Sequence, residues 1–190
     1  MFILLVAQRL RIGGLYLMPD RYKDVLEWLQ AIVIAVVLSV VIRLFLFEVI
    51  LVEGTSMLPT LNEGDRLIVS KAEYSVISPE TGDIVVFRNS KDPIENYIKR
   101  IIGVAGDRIE INGGFVYING IQLNEPYILE SFYEYFTTTM IPPNSIFVLG
   151  DNRNHSRDSR NPYVGFVSVD NIIGKARLRI WPLWDIEWFN

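Results

Sequence analysis

The sequence predicts a mainly β protein, with one apolar helix near the N-terminus followed by an antiparallel β domain. Three observations carry this. From Ala31 to Phe47 the chain reads AIVIAVVLSVVIRLFLF, with apolar residues on every face and not in one stripe. After residue 50 the texture changes to short runs of β-branched and aromatic residues separated by turn signals. No second helical pattern of length follows, and no internal repeat.

Each element can be justified in order. Residues 1–27 form an N-terminal segment, and residues 1–17 are either a short interfacial stretch or an upstream extension before a start at Met18. Residues 28–48 are predicted as a transmembrane helix, because an apolar run of that length spans a bilayer at roughly 1.5 Å per residue. Arg43 lies close enough to the helix end to extend its guanidinium to the headgroups. The alternatives are a buried helix of a soluble domain, opposed by the all-round apolarity, and a cleaved signal peptide, opposed by length and by the lack of a small-x-small site. Arg9, Arg11, Arg21 and Lys23 precede the helix, whereas Glu48 and Glu53 follow it. Positive residues stay inside, so the N-terminus is expected in the cytoplasm and residues 49–190 on the outer side of a single-pass cytoplasmic membrane protein.

Within residues 49–190, strands are expected at Leu67–Ser70, Ile84–Phe87, Tyr97–Ile102 and Ile146–Leu149. Asn112-Gly113-Gly114 and Asn119-Gly120 mark hairpin turns. Lys175 to Trp181 alternates, with Ala176, Leu178 and Ile180 on one face and Lys175, Arg177 and Arg179 on the other. The tail from Trp181 holds three tryptophans in eight residues, either as core or as an aromatic edge at a membrane interface.

Composition narrows the chemistry. The chain has 190 residues, a net charge of −4 and no long basic run, which argues against a nucleic-acid partner. With no cysteine, thiol nucleophiles and cysteine-ligated metals are excluded. A single histidine, His155, does not supply the imidazole set of a zinc hydrolase, so hydrolysis without a metal or other cofactor is expected.

Ser56, in Glu53-Gly-Thr-Ser-Met-Leu-Pro-Thr-Leu61, begins just outside the predicted helix. A serine beside glycine and proline is ordinarily a turn residue. Gly54 permits close backbone approach, however, and Met57 and Leu61 can form an apolar wall. The hydroxyl needs a base, and two are available. His155 lies between Asp151 and Asp158, the material of a Ser-His-Asp triad, but in a loop polar enough to be surface. Lys99 interrupts an apolar strand, where burial would disfavour its ammonium form and free it to act as a base, although strand lysines usually face solvent.

Five blocks in order resemble bacterial type I signal peptidases, the Ser-Lys proteases of peptidase family S26. They are the membrane segment, Gly54-Thr-Ser-Met-Leu-Pro-Thr-Leu61, Gly82-Asp-Ile-Val-Val-Phe87, Tyr97-Ile-Lys-Arg-Ile-Ile-Gly-Val-Ala-Gly-Asp107, and Gly150-Asp-Asn-Arg153 with Ser156 and Asp158-Ser-Arg160. The resemblance implies a signal peptidase/LexA-like β fold and an endopeptidase that removes signal peptides after an Ala-x-Ala site. It implies Ser56 as nucleophile, Lys99 as general base and Ser156 as the hydroxyl that hydrogen-bonds and orients the lysine. Arg100, Asp151, Asp158 and Arg160 would support the site, with an Asp158–Arg100 or Asp158–Arg160 ion pair. Val52, Met57, Leu61, Tyr97 and Ile98 would line small S1 and S3 pockets, which exclude larger side chains sterically.

The implied partners are exported preproteins and the lipid bilayer, and a functional association with the export translocon is compatible with them. Two departures stand out. Gly54 replaces a serine that helps the oxyanion hole in Gram-negative members, leaving the Ser56 N–H as the nameable donor. Only about forty residues separate Asp107 from Gly150, so the cap is expected as hairpins over residues 110–146. His155 falls at a position the family leaves variable. The rival readings are a soluble self-cleaving LexA-like peptidase, opposed by the anchor and the acidic charge, and a tethered non-catalytic binding domain. A Ser-His-Asp esterase is opposed by the lack of a Gly-x-Ser-x-Gly elbow.

Overall fold

The computed structural model describes residues 20–189. The readings made for residues 1–17 therefore lie outside the described residues. Two compact units divide between Ile42 and Arg43. The first contains most of helix α1 (Asp20–Phe45), whose side chains from Lys23 to Ile42 are exposed; that stretch is long and apolar enough to cross a bilayer. Exposure on every face removes the buried-core alternative.

The helix bounds differ from the expected 28–48. Asp20 to Glu27 extends the helix backwards with charged and polar helix formers, and Phe47-Glu-Val-Ile-Leu51 leaves it at the other end. That pentapeptide alternates and pairs with a neighbouring strand, so period two replaces the helical period.

The second unit is antiparallel β. Its strands are β1 (Phe47–Leu51), β2 (Arg66–Ser70), β3 (Ile84–Asn89), β4 (Asp92–Val104), β5 (Arg108–Asn112), β6 (Phe115–Ile118), β7 (Ile121–Gln122), β8 (Phe136–Met140), β9 (Ser145–Leu149), β10 (Val167–Ser168), β11 (Ile172–Trp181) and β12 (Glu187–Trp188). The main sheet runs β1-β2-β11-β3-β4-β9-β10, with β12 on β11; a smaller sheet runs β7-β6-β5-β8. Both expected hairpins form. Asn112 pairs with Phe115 around Gly113-Gly114, and Ile118 pairs with Ile121 around Asn119-Gly120, all four turn residues having positive φ.

The small sheet is the reduced cap. Ile109, Ile111 and Val116 pack with Ile102, Phe147 and Leu149 of the main sheet in one cluster, so the cap shares its core with the main sheet. Such fully buried side chains contribute about 1.5–3 kcal/mol each relative to exposure. A second cluster joins Val52, Met57 and Leu61 to Leu67, Val86 and Ile98, fixing the Ser56 segment against the sheet.

Two features of the main sheet position the site. Strand β9 pairs with β4 only from Arg100 to Val104, so among the described residues the other edge of Asp92–Lys99 is unpaired on that side. Strand β11 carries bulges beside Ala176 and Arg179, and two of its basic residues are buried. Lys175 lies 2.6 Å from Asp83 and Arg179 lies 3.2 Å from Asp65, both cations being buried. Of the two readings of the tail, core packing fails for the tryptophans: Trp181, Trp184 and Trp188 are exposed, and Phe189 is the tail residue that enters the core.

Candidate active site

Ser56 sits in a turn that follows β1, and Lys99 sits on β4, forty-three residues later. The fold brings them together: Lys99 Nζ donates to Ser56 Oγ at 2.7 Å and to the Ile98 carbonyl at 2.8 Å. Lys99 is only 4% exposed and forms no ion pair among the described residues. Burial pushes its ammonium from 10.5 down to about 8, against the opposing pull of the Asp158 and Asp151 charges. A lysine held this way supplies a neutral amine at mildly alkaline pH.

The segment 150–160 closes over the pair. Asn152 N–H donates to the Ser56 carbonyl at 3.0 Å, and Asn152 Nδ2 donates to the Thr55 carbonyl at 3.0 Å. Gly150 is required by this approach, because a Cβ there would lie 2.5 Å from the Ser56 carbonyl oxygen and 2.3 Å from Ser156 Oγ. The sequence reading assigned no role to Asn152; its membership of the Gly150 block was the only signal.

The supporting ions resolve the expected pairings. Arg100 binds Asp151 in a bidentate contact at 2.9 and 2.7 Å, and stacks on Tyr127 with its guanidinium 4.0 Å from the ring centroid. Asp158 pairs with Arg160 at 2.8 Å and not with Arg100; it also accepts the Gly150 N–H at 3.1 Å. Arg153, to which no role was given, is fully buried and paired with Glu125 at 2.5 Å.

Two residues are placed differently from what the resemblance implies. Ser156 Oγ makes no hydrogen bond to Lys99 in this structure; it is buried against Gly150 without a partner. Two of the lysine's donors are already engaged by Ser56 Oγ and the Ile98 carbonyl, and its reach toward Ser156 is not used. Leu61 has no exposed surface and packs in one cluster with Val52 and Met57, and it is not among the residues that line the cleft. His155 is exposed, in a short turn over residues 153–155.

Val52, Met57, Tyr97 and Ile98 do line a cleft of about 810 Å³ that opens on Ser56 and Lys99. The ring of Tyr97 lies 5.8 Å from Lys99 Nζ. Gly54 also borders the cleft, at φ +82° with open space where a side chain would stand. The Ser56 N–H donates to no group among the described residues. Among those residues, no group of three or more His, Asp and Glu could hold a metal ion.

A cleft floored by Val52, Met57, Tyr97 and Ile98, one serine hydroxyl against a buried amine, and a strand edge beside them that is unpaired among the described residues make up the site of a serine peptidase. The family described as "Signal peptidase, peptidase S26" matches residues 25–181. A signal peptidase I of Bacillus licheniformis is 38% identical, the match covering 88% of this chain and 95% of that protein. A probable signal peptidase I of Synechocystis is 42% identical, over 83% of this chain and 74% of the relative. A crystal structure of a signal peptidase I from Enterococcus faecalis superposes with a TM-score of 0.47 and 31% identity, covering 53% of this chain and 97% of that one. The chain belongs to the signal peptidase family, peptidase S26, and is a serine peptidase that removes signal peptides.

Proposed function

We propose that the chain is a membrane-anchored endopeptidase that cleaves exported preproteins after a small-x-small site with a Ser56–Lys99 dyad. The observation that carries this is the 2.7 Å contact between Ser56 Oγ and a buried lysine that forms no ion pair among the described residues. Neutral Lys99 takes the Ser56 proton, and Oγ attacks the carbonyl carbon of the P1 residue. The Ser56 N–H donates to the developing oxyanion; the Gly54 position supplies no side-chain donor. The Lys99 ammonium then gives its proton to the leaving amine. Lys99 next takes a proton from water, whose oxygen attacks the acyl-enzyme, and Ser56 recovers its proton as the signal peptide departs.

Ser156 orients the amine during these transfers: its buried hydroxyl has no hydrogen-bond partner among the described residues and is available to the lysine. Arg100, Asp151, Asp158 and Arg160 hold the segment that carries Ser156. The substrate's cleavage region pairs as an added strand on the free edge of Asp92–Lys99. Alternation then turns P1 and P3 onto Val52, Met57, Tyr97 and Ile98, a floor with room for small side chains. Helix α1 anchors the chain with its N-terminus inside and the β unit outside, confining enzyme and substrate to one surface.

The test uses the detergent-solubilised full chain and a preprotein, with sequencing of the new N-terminus. Ser56→Ala and Lys99→Met should each lower kcat by at least about 10⁴-fold. His155→Ala should stay within twofold. Loss of cleavage in His155→Ala with activity retained in Lys99→Met would overturn the lysine assignment.

A further inference from the structure

The cleft has an apolar floor and a charged rim. Arg157, Glu53 and Glu95 border it, all exposed, and none forms an ion pair among the described residues. This contrasts with the other arginines of the same segment, Arg153 and Arg160, which are held by carboxylates at 2.5 and 2.8 Å. The Arg157 guanidinium instead rests 5.6 Å from the Tyr163 ring centroid. Tyr163 is itself fixed, its N–H donating to Asn161 Oδ1 at 2.8 Å and its hydroxyl to the Lys91 carbonyl at 3.3 Å. The cation is thus supported on an aromatic face, with no protein carboxylate taking its donors.

Its place in the chain ties it to the reaction. Arg157 directly follows Ser156, whose Oγ lies in the same close contact with Gly150 as the Ser56 carbonyl. An extended substrate buries alternate side chains in the floor and leaves the intervening ones at the rim. Glu95 stands four residues from Lys99, about 13 Å along the strand, too distant to neutralise a group beside the scissile bond.

We propose that Arg157 is a specificity-determining residue that binds an acidic side chain of the preprotein within two residues of the scissile bond. The proposal rests on the reading of this cleft as the substrate site. It makes the enzyme favour acidic over basic residues at P2, P1′ or P2′. An exposed charge contact of this kind changes kcat/KM by two- to fivefold.

The experiment measures kcat/KM of the full chain on a preprotein carrying Asp, Asn or Lys at each of the three positions in turn. Wild type should prefer Asp to Lys by two- to fivefold at one of them at least, and the preference should fall toward one in 1 M salt. Arg157→Gln should erase the ratio and Arg157→Glu should invert it, the ratio within each variant cancelling any general loss of rate. A wild-type ratio of one or below at all three positions, or a ratio unchanged in Arg157→Glu, overturns the proposal. Cleavage of the Asn substrate by Ser56→Ala reports separately on the dyad.

Discussion

Two strand lysines flank the same residue of β3: Lys99 on β4 and Lys175 on β11 both pair with Val85. Both are almost fully buried, at 4% and 6% exposed. Lys175 meets Asp83 at 2.6 Å, and Asp83 in turn accepts the Tyr74 hydroxyl at 2.8 Å and the Glu80 N–H at 3.1 Å. Lys99 meets a hydroxyl and a carbonyl. Burial is therefore shared, and the counter-ion is what differs. An ion pair with a carboxylate ties strands together, whereas burial beside neutral partners drives Lys99 toward its amine form. One sheet thus contains a structural lysine and a candidate base, on the two strands that flank β3.

The comparison breaks first on activity. Lys99→Met should remove at least about 10⁴-fold of kcat while far-UV circular dichroism is unchanged, whereas Lys175→Met should leave kcat of the folded fraction within about threefold. On stability the order reverses. Lys175→Met strands the Asp83 carboxylate in the interior and should cost about 3–5 kcal/mol in denaturant unfolding.

Lys99→Met should instead stabilise the protein near neutrality, by an amount on the order of 3 kcal/mol at pH 7. The sign follows from linkage. Lys99 has its proton affinity lowered by folding, from 10.5 to about 8, so between those values the unfolded chain binds more protons and stability rises with pH. The cost of the buried ammonium is full below about 8 and relieved by about 10.5, so the gap between Lys99→Met and wild type should close over that window. A gap independent of pH from 7 to 10.5 would mean that the lysine is not titrating in the folded state.

A smaller effect sharpens the same point. The cleavage rate should climb about tenfold per pH step below a midpoint near 8, then level off. Ser156→Ala should lower kcat by roughly tenfold and move that midpoint, a displacement that a purely structural serine would not produce. Rescue by Ser156→Thr would sharpen the assignment further.

Much of the architecture was legible because it rests on local rules. All-round apolarity marks α1, and glycines at positive φ mark the Gly113-Gly114 and Asn119-Gly120 turns. Helix ends were less legible: Phe47 and Glu48 belong to a strand because a partner, Val69–Ser70, is available to pair with them. The burial of Lys175 and Arg179 was equally out of reach of pattern. Alternation assigns a face and says nothing of what covers it, and here the cover is acidic. The site followed this division. Pattern alone left Lys99 undecided between solvent and interior, and the resemblance named it together with Ser56. Neither source could place Ser156 without a hydrogen bond, bury Leu61 in the core cluster, or match Arg100 to Asp151.

The sequence by itself determined an apolar helix, an antiparallel β domain free of cysteine, and the residue types of a serine peptidase in their order. These depend on period, turn chemistry and side-chain identity, which are properties of short segments. The tertiary structure decided which of two buried lysines meets a carboxylate, and that Arg157 at the cleft meets none among the described residues. Those are properties of what surrounds a side chain, and at this site the surroundings come from segments 43 to 100 residues apart in the chain.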